Sequence, residues 1–159
     1  MTETTTENFW GEIPKVDKAR TPLSILKEQA AMLGQLSNRL LEGDVTLESN
    51  SPSKIDAFLS IVAPSLGGYS IYIIRIIHDI QIYPLTMIKL FEPDNRSREI
   101  HSEEEFIETL KAILSSDKVK RIIASLLTQI KSGDFDFSSK KSEKKAYIKG
   151  GADDEDIPF

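Results

Sequence analysis

The chain contains no cysteine. That excludes a disulfide framework and any thiolate metal site, and it fits a reducing cytoplasm. Histidine is scarce, with only His78 and His101, so a metal site would need His together with carboxylates. The most apolar stretch, Tyr69 to Phe91, is broken by Arg75, His78, Asp79, Gln81 and Pro84. It is too interrupted for a transmembrane helix. The opening MTETTTENFW is polar and acidic, without a basic segment or an apolar one behind it. No signal peptide is read there, and the expected location is cytoplasmic.

Catalytic signatures are missing too. There is no G-x-S-x-G elbow, no S-x-x-K set with partners, no G-x-G-x-x-G and no phosphate-binding loop. His78 and Asp79 are adjacent within a strand-like run, where neighbouring side chains face opposite ways, so one cannot orient the other directly. His101 stands at a helix entry. Glu103 and Glu104 lie at a helix start, where the helix dipole accounts for them. A non-enzymatic protein with no catalytic residues, no metal and no cofactor is expected.

What is present suffices for one domain and a tail. With 159 residues, 40% of them apolar, the chain can bury a genuine core. The net charge is −5. Residues 132–159 hold five Lys and seven Asp/Glu, so neither the body nor the tail carries the basic excess of a generic duplex-DNA binder. Nucleic-acid binding would need a local basic groove.

Residues 1–20 form a loosely structured arm in which FWGEIP stands out, and Trp10, the only tryptophan, is expected to dock on the core. Thr21-Pro22 is a helix start, with Thr as N-cap and Pro at the first helical position. Leu26, Met32, Leu33, Leu36 and Leu40 then recur at helical spacing, giving an amphipathic helix of about six turns that ends near Gly43. Its stripe serves the core or, alternatively, a dimer seam. Four strand-like runs follow: VTLES (45–49), IDAFLSIVA (55–63), YSIYIIRIIHDI (69–80) and YPLTMIKLF (83–91). Short connections make neighbours antiparallel. EPDNRSR is a loop. SEEEF (102–106) is a capping box in which Ser102 caps and Glu105 reaches back. Phe106, Ile107, Leu110, Ile113 and Leu114 form one face of that helix. A last helix starts near Ser116-Asp117, with Val119, Ile122, Ile123, Leu126, Leu127 and Ile130 as its stripe. The fold class is α+β: a roughly four-stranded antiparallel sheet, with one N-terminal and two C-terminal helices packed on one face. The domains are an arm (1–20), a core (21–131) and a flexible tail (132–159) that is rich in Gly, Ser and charge.

The tail finishes ADDEDIPF. A terminal Phe159 has a ring for an apolar pocket and a carboxylate for an arginine at its rim. Pro158 restricts the backbone and Ile157 adds apolar contact. Asp153, Asp154, Glu155 and Asp156 steer the segment toward a basic surface. DDEDIPF resembles the acidic tip of bacterial single-stranded DNA-binding proteins, which typically ends Asp-Asp-Asp-Ile-Pro-Phe after a low-complexity linker; Glu155 is the departure and keeps the charge. The resemblance implies that the tip recruits replication, recombination and repair enzymes. It covers only the tip. That family's oligonucleotide-binding barrel has five strands with a helix between the third and fourth, whereas this body opens with a long helix and closes with two.

Two functions follow. In the first, the body binds single-stranded DNA on an unrelated fold. Tyr69, Tyr72, Tyr83 or Phe91 would stack bases beside Arg75 and Lys89 on an open sheet face, and Lys140, Lys141, Lys144 and Lys145 would add phosphate contacts or fold back on the acidic tip. In the second, the body holds a protein and the tip mimics the single-stranded DNA-binding protein's. Several tips on one assembly would raise effective concentration, so a homodimer or higher oligomer, through the first helix or a sheet edge, is expected. No membrane partner is expected.

Overall fold

Thr21 and Pro22 open the first helix as their chemistry requires. In the computed structural model, which describes residues 5–17, 20–48 and 50–134, α1 spans Pro22–Leu36. The Thr21 hydroxyl accepts a hydrogen bond from the Ser24 amide, and the Ser24 hydroxyl oxygen in turn accepts one from the Thr21 amide. The helix stops seven residues short of Gly43. Asn38 and Arg39 take left-handed backbone angles instead, with φ of 53° and 67°, and reverse the chain into β1 (Glu42–Glu48). Gly43 is therefore a strand residue, and its role is contact. A Cβ there would lie 2.4 Å from the Ala30 Cα, so the bare backbone lets α1 lie directly on β1.

The sheet has five strands, one more than the sequence suggests. β2 (Ile55–Ala63), β3 (Tyr69–His78), β4 (Leu85–Lys89) and β5 (Ser97–Ile100) follow β1 in an antiparallel meander of order β1-β2-β3-β4-β5. The additional strand, β5, falls across the end of the segment read as a loop. Its four residues are polar up to Ile100, so they lack the apolar alternation that marks a strand. Only Ile100, opposite Leu85 and fully buried, shows the inward side. Among the described residues both outer strands have free edges and no helix lies between β3 and β4; an oligonucleotide-binding barrel has a helix there.

Ser102 caps α2 (Glu103–Leu114), accepting from the Glu105 amide at 3.1 Å. Glu105 reaches back as read, but to the His101 amide at 3.0 Å. Ser116 caps α3 (Asp117–Ser132), and Gly133, with φ of 74°, ends it. All three helices cover one face of the sheet. Ala57, Leu59, Ile61, Ile74, Ile76, Leu85, Met87 and Ile100 from the strands meet Ile25, Leu26, Ala30, Phe106, Leu110, Ile113, Val119 and Leu126 from the helices in one apolar cluster. The Leu stripe of α1 divides. Leu26 is buried, whereas Leu36 is 77% exposed, because the row Pro22, Leu26, Ala30 and Gly34 at four-residue steps is the one turned inward.

The arm also differs from expectation. Trp10 is 85% exposed and does not dock on the core. Asn8 closes a local turn instead, donating to the Gly11 carbonyl and accepting from the Trp10 amide. Phe9, Ile13 and Val16 are exposed beside it.

Candidate functional site

A regular strand would place Tyr72 and Arg75, three residues apart, on opposite faces. The structure places them together. Leu59 pairs with Ile74 and Ser60 with Tyr72, so Ile73 is an extra residue, a β-bulge. The bulge inverts the alternation of β3. Ile73 and Ile74 both go inside, each fully buried, while Tyr72 and Arg75 share the face that no helix covers.

Phe58 joins them there, directly opposite Arg75 in the register. Its ring meets Tyr72 edge-on, with centroids 5.4 Å apart, and the Arg75 guanidinium sits 5.2 Å above it. The guanidinium is also committed to Asp56. Nε and Nη2 donate to the two carboxylate oxygens at 2.8 and 2.6 Å, and Asn50 supplies a further donor at 3.1 Å. Asp56 is nearly buried. The hydrogen bond from Arg75 holds its carboxyl below the ordinary value, and the carboxylate in turn holds the guanidinium pKa up.

Charge on this face runs against a polyanion. Register and alternation put Glu42, Asp44 and Glu48 of β1 and Glu99 of β5 on the same side as Asp56. On the strands of that side, Arg75 is the only cation among the described residues. A phosphate backbone laid there would meet net negative charge.

The other sequence candidates scatter. Lys89 pairs with Ile74 in the register and so lies on the opposite, helix-covered side, bonded to Glu92 at 3.5 Å. It shares a cleft of about 480 Å³ with Arg96 and Arg98, which the sequence reading did not single out. Each of these three is matched by an acid: Glu92, Asp94 and Glu105. Tyr69 opposes the fully buried Ala63 and also belongs to the helix side. Phe91 packs against the core. Tyr83 is half-buried; its hydroxyl has no hydrogen-bond partner among the described residues, and burial raises its pKa. Of the aromatic candidates only Tyr72 stands on the open face. Phe58 was missed because IDAFLSIVA reads as one apolar run, within which the outward position is not visible.

His78 is buried, and its Nδ1 lies 2.6 Å from the Asp79 carbonyl oxygen, which fixes the proton on that nitrogen. The Asp79 carboxylate turns instead to Lys54, at 3.7 Å. Lys140, Lys141, Lys144, Lys145 and the whole of Asp153–Phe159 lie outside the described residues.

One apolar pocket, of about 610 Å³, opens on the helix side. Leu66, Tyr69 and Ile71 line it from the sheet side, and Arg121, Ile122 and Leu126 line it from α3. No protein family, curated protein or solved structure matches this chain.

Proposed function

We propose that the protein is a non-enzymatic genome-maintenance adaptor. Its segment Asp153–Phe159 engages replication, recombination and repair enzymes, and its body holds a second protein through the open face around Phe58 and Tyr72. The observation that carries the reading is the run of four acids followed by Ile157-Pro158-Phe159. The charges steer the segment to a basic surface, and the apolar residues hold it there. The open face supports the choice of a protein over DNA as the body's ligand. It presents Phe58, Tyr72 and half-buried Val62, Ile77 and Ile88 among acidic neighbours, with its arginine already paired.

A second reading keeps the body as a single-strand binder. The edge-on pair of half-buried Phe58 and exposed Tyr72 favours it, because rings on an open sheet stack unpaired bases. Two measurements on the full chain separate the readings. In pull-downs from a bacterial lysate, Phe159→Ala is expected to lose most of the replication and repair proteins that the unaltered chain retains; unchanged capture would sink the recruiting role. In anisotropy with labelled oligo-dT at low salt, the adaptor reading expects no saturable binding. Binding that Tyr72→Ala weakens by about tenfold or more would establish the second reading instead, since one base stack is worth about 1–3 kcal/mol.

A further inference from the structure

The pocket at Arg121 joins two features that are separate in the groove between α1 and α3 and in the cleft at Lys89. Its walls are apolar, from Leu66, Tyr69, Ile71, Ile122 and Leu126, and its volume of about 610 Å³ falls within the usual size of a ligand site. Its cation is uncommitted: the Arg121 side chain has no hydrogen-bond or ion-pair partner among the described residues, nor has the Lys120 side chain beside it. The groove between α1 and α3 is apolar as well, at Met32, Leu33, Leu36, Leu114 and Ile123, but no cation lines it. The cleft at Lys89, Arg96 and Arg98 has cations, and each already faces an acid.

A ligand matched to the Arg121 pocket is a short peptide with apolar side chains next to several carboxylates. Residues 135–159 of this chain supply one, with Asp153, Asp154, Glu155 and Asp156 beside Ile157, Pro158 and Phe159. The reach is sufficient. α3 ends at Ser132, and at about 1.5 Å of rise per residue Arg121 lies roughly 17 Å back along the helix. Residues 133–159 can reach at most about 90 Å when extended, several times that distance.

We propose that this pocket binds the chain's own acidic-apolar tip. Ile157 and Phe159 lie against Ile71, Ile122 and Leu126, and the acidic run faces Arg121 and Lys120. Docking is intramolecular. Its consequence rests on the recruiting role proposed above, because a docked tip is withheld from other enzymes; its geometry does not.

The test uses the full chain and a fluorescein-labelled peptide of residues 150–159. In a tip variant, Ile157→Ala/Phe159→Ala, the pocket is open and the peptide is expected to bind with a Kd of about 100 μM. In the unaltered chain the tethered tip competes at an effective concentration in the millimolar range, so the peptide is expected to bind about tenfold more weakly. Arg121→Glu placed in the tip variant is expected to abolish binding. Ser125→Trp, at an exposed position on the pocket wall, blocks by bulk and guards against a charge effect unrelated to docking. Equal binding to the tip variant and the unaltered chain, absence of binding to both, or indifference to both pocket substitutions would overturn the proposal. Tip-dependent growth of the particle with concentration in sedimentation would place the tip on a second copy and overturn the intramolecular form. Peptide binding with failed pull-downs would leave the docking standing and remove only the recruiting role.

Discussion

Asp56 and Arg75 show how one pair fixes both stability and chemistry on the open face. The Asp56 side chain is only 5% exposed. Removing its partner leaves a nearly buried carboxylate with Asn50 alone, so Arg75→Ala is expected to cost about 2–3 kcal/mol in urea denaturation at pH 7. The cost should depend on pH with a definite sign. The folded-state pKa of Asp56 lies below its unfolded value, mainly through the Arg75 hydrogen bond. The pair's contribution is therefore fully present above the unfolded carboxylate value of about 3.9 and is lost as pH falls from there through the folded value. The stability gap between the unaltered protein and Arg75→Ala should narrow below about pH 4. A constant gap down to pH 2 would show that the guanidinium acts through its packing on Phe58 rather than through Asp56.

Among the elements, the α1–β1 contact is the most sensitive to a single atom. Gly43 touches Ala30 so closely that a methyl group would overlap backbone, at 2.4 Å from Cα and 2.8 Å from the carbonyl oxygen. Backbone cannot rotate away as a side chain can, so helix and strand must separate. Gly43→Ala is expected to destabilise the fold by about 1–3 kcal/mol, read as a lower urea midpoint with an unchanged slope. An unaffected midpoint would mean that α1 shifts at no cost. This contact explains why the sequence was misleading here. A glycine after a run of helix formers has the look of a C-cap, and nothing local distinguishes that role from a close approach made by a residue thirteen positions earlier. The capping residues, by contrast, were readable. Thr21, Ser102 and Ser116 each accept from the amide three residues on, so their evidence is contained in the segments themselves.

The whole molecule is a one-sided sheet carrying an exposed segment in its arm. Because Trp10 is the only tryptophan, its emission reports on the arm alone. It is expected to emit as a water-exposed indole and to be quenched freely by acrylamide, and Trp10→Ala should change stability by less than about 0.5 kcal/mol. A shielded, blue-shifted emission at low concentration would show the arm docked. The edges bear on assembly at the same scale. β1 presents Glu42, Asp44 and Glu48 along an edge that is unpaired among the described residues, and like charges facing each other disfavour pairing of two such strands.

Composition, capping residues and apolar spacing determined the class by themselves: helix first, antiparallel strands, then two helices, with Phe106, Leu110, Val119 and Leu126 as inward residues. Those are short-range properties, set by hydrogen bonds and periodicities within one element. Only the tertiary structure decided which residues meet. The polar strand β5 exists because β4 offers it a partner, and Trp10 stays in water because no core surface receives it. Above all, the one-residue bulge at Ile73 turned Tyr72 and Arg75 onto a single face beside Phe58 and Asp56. A strand's alternation can be counted in the sequence, but a bulge is set by the pairing of two strands, and that register is a property of neither strand alone.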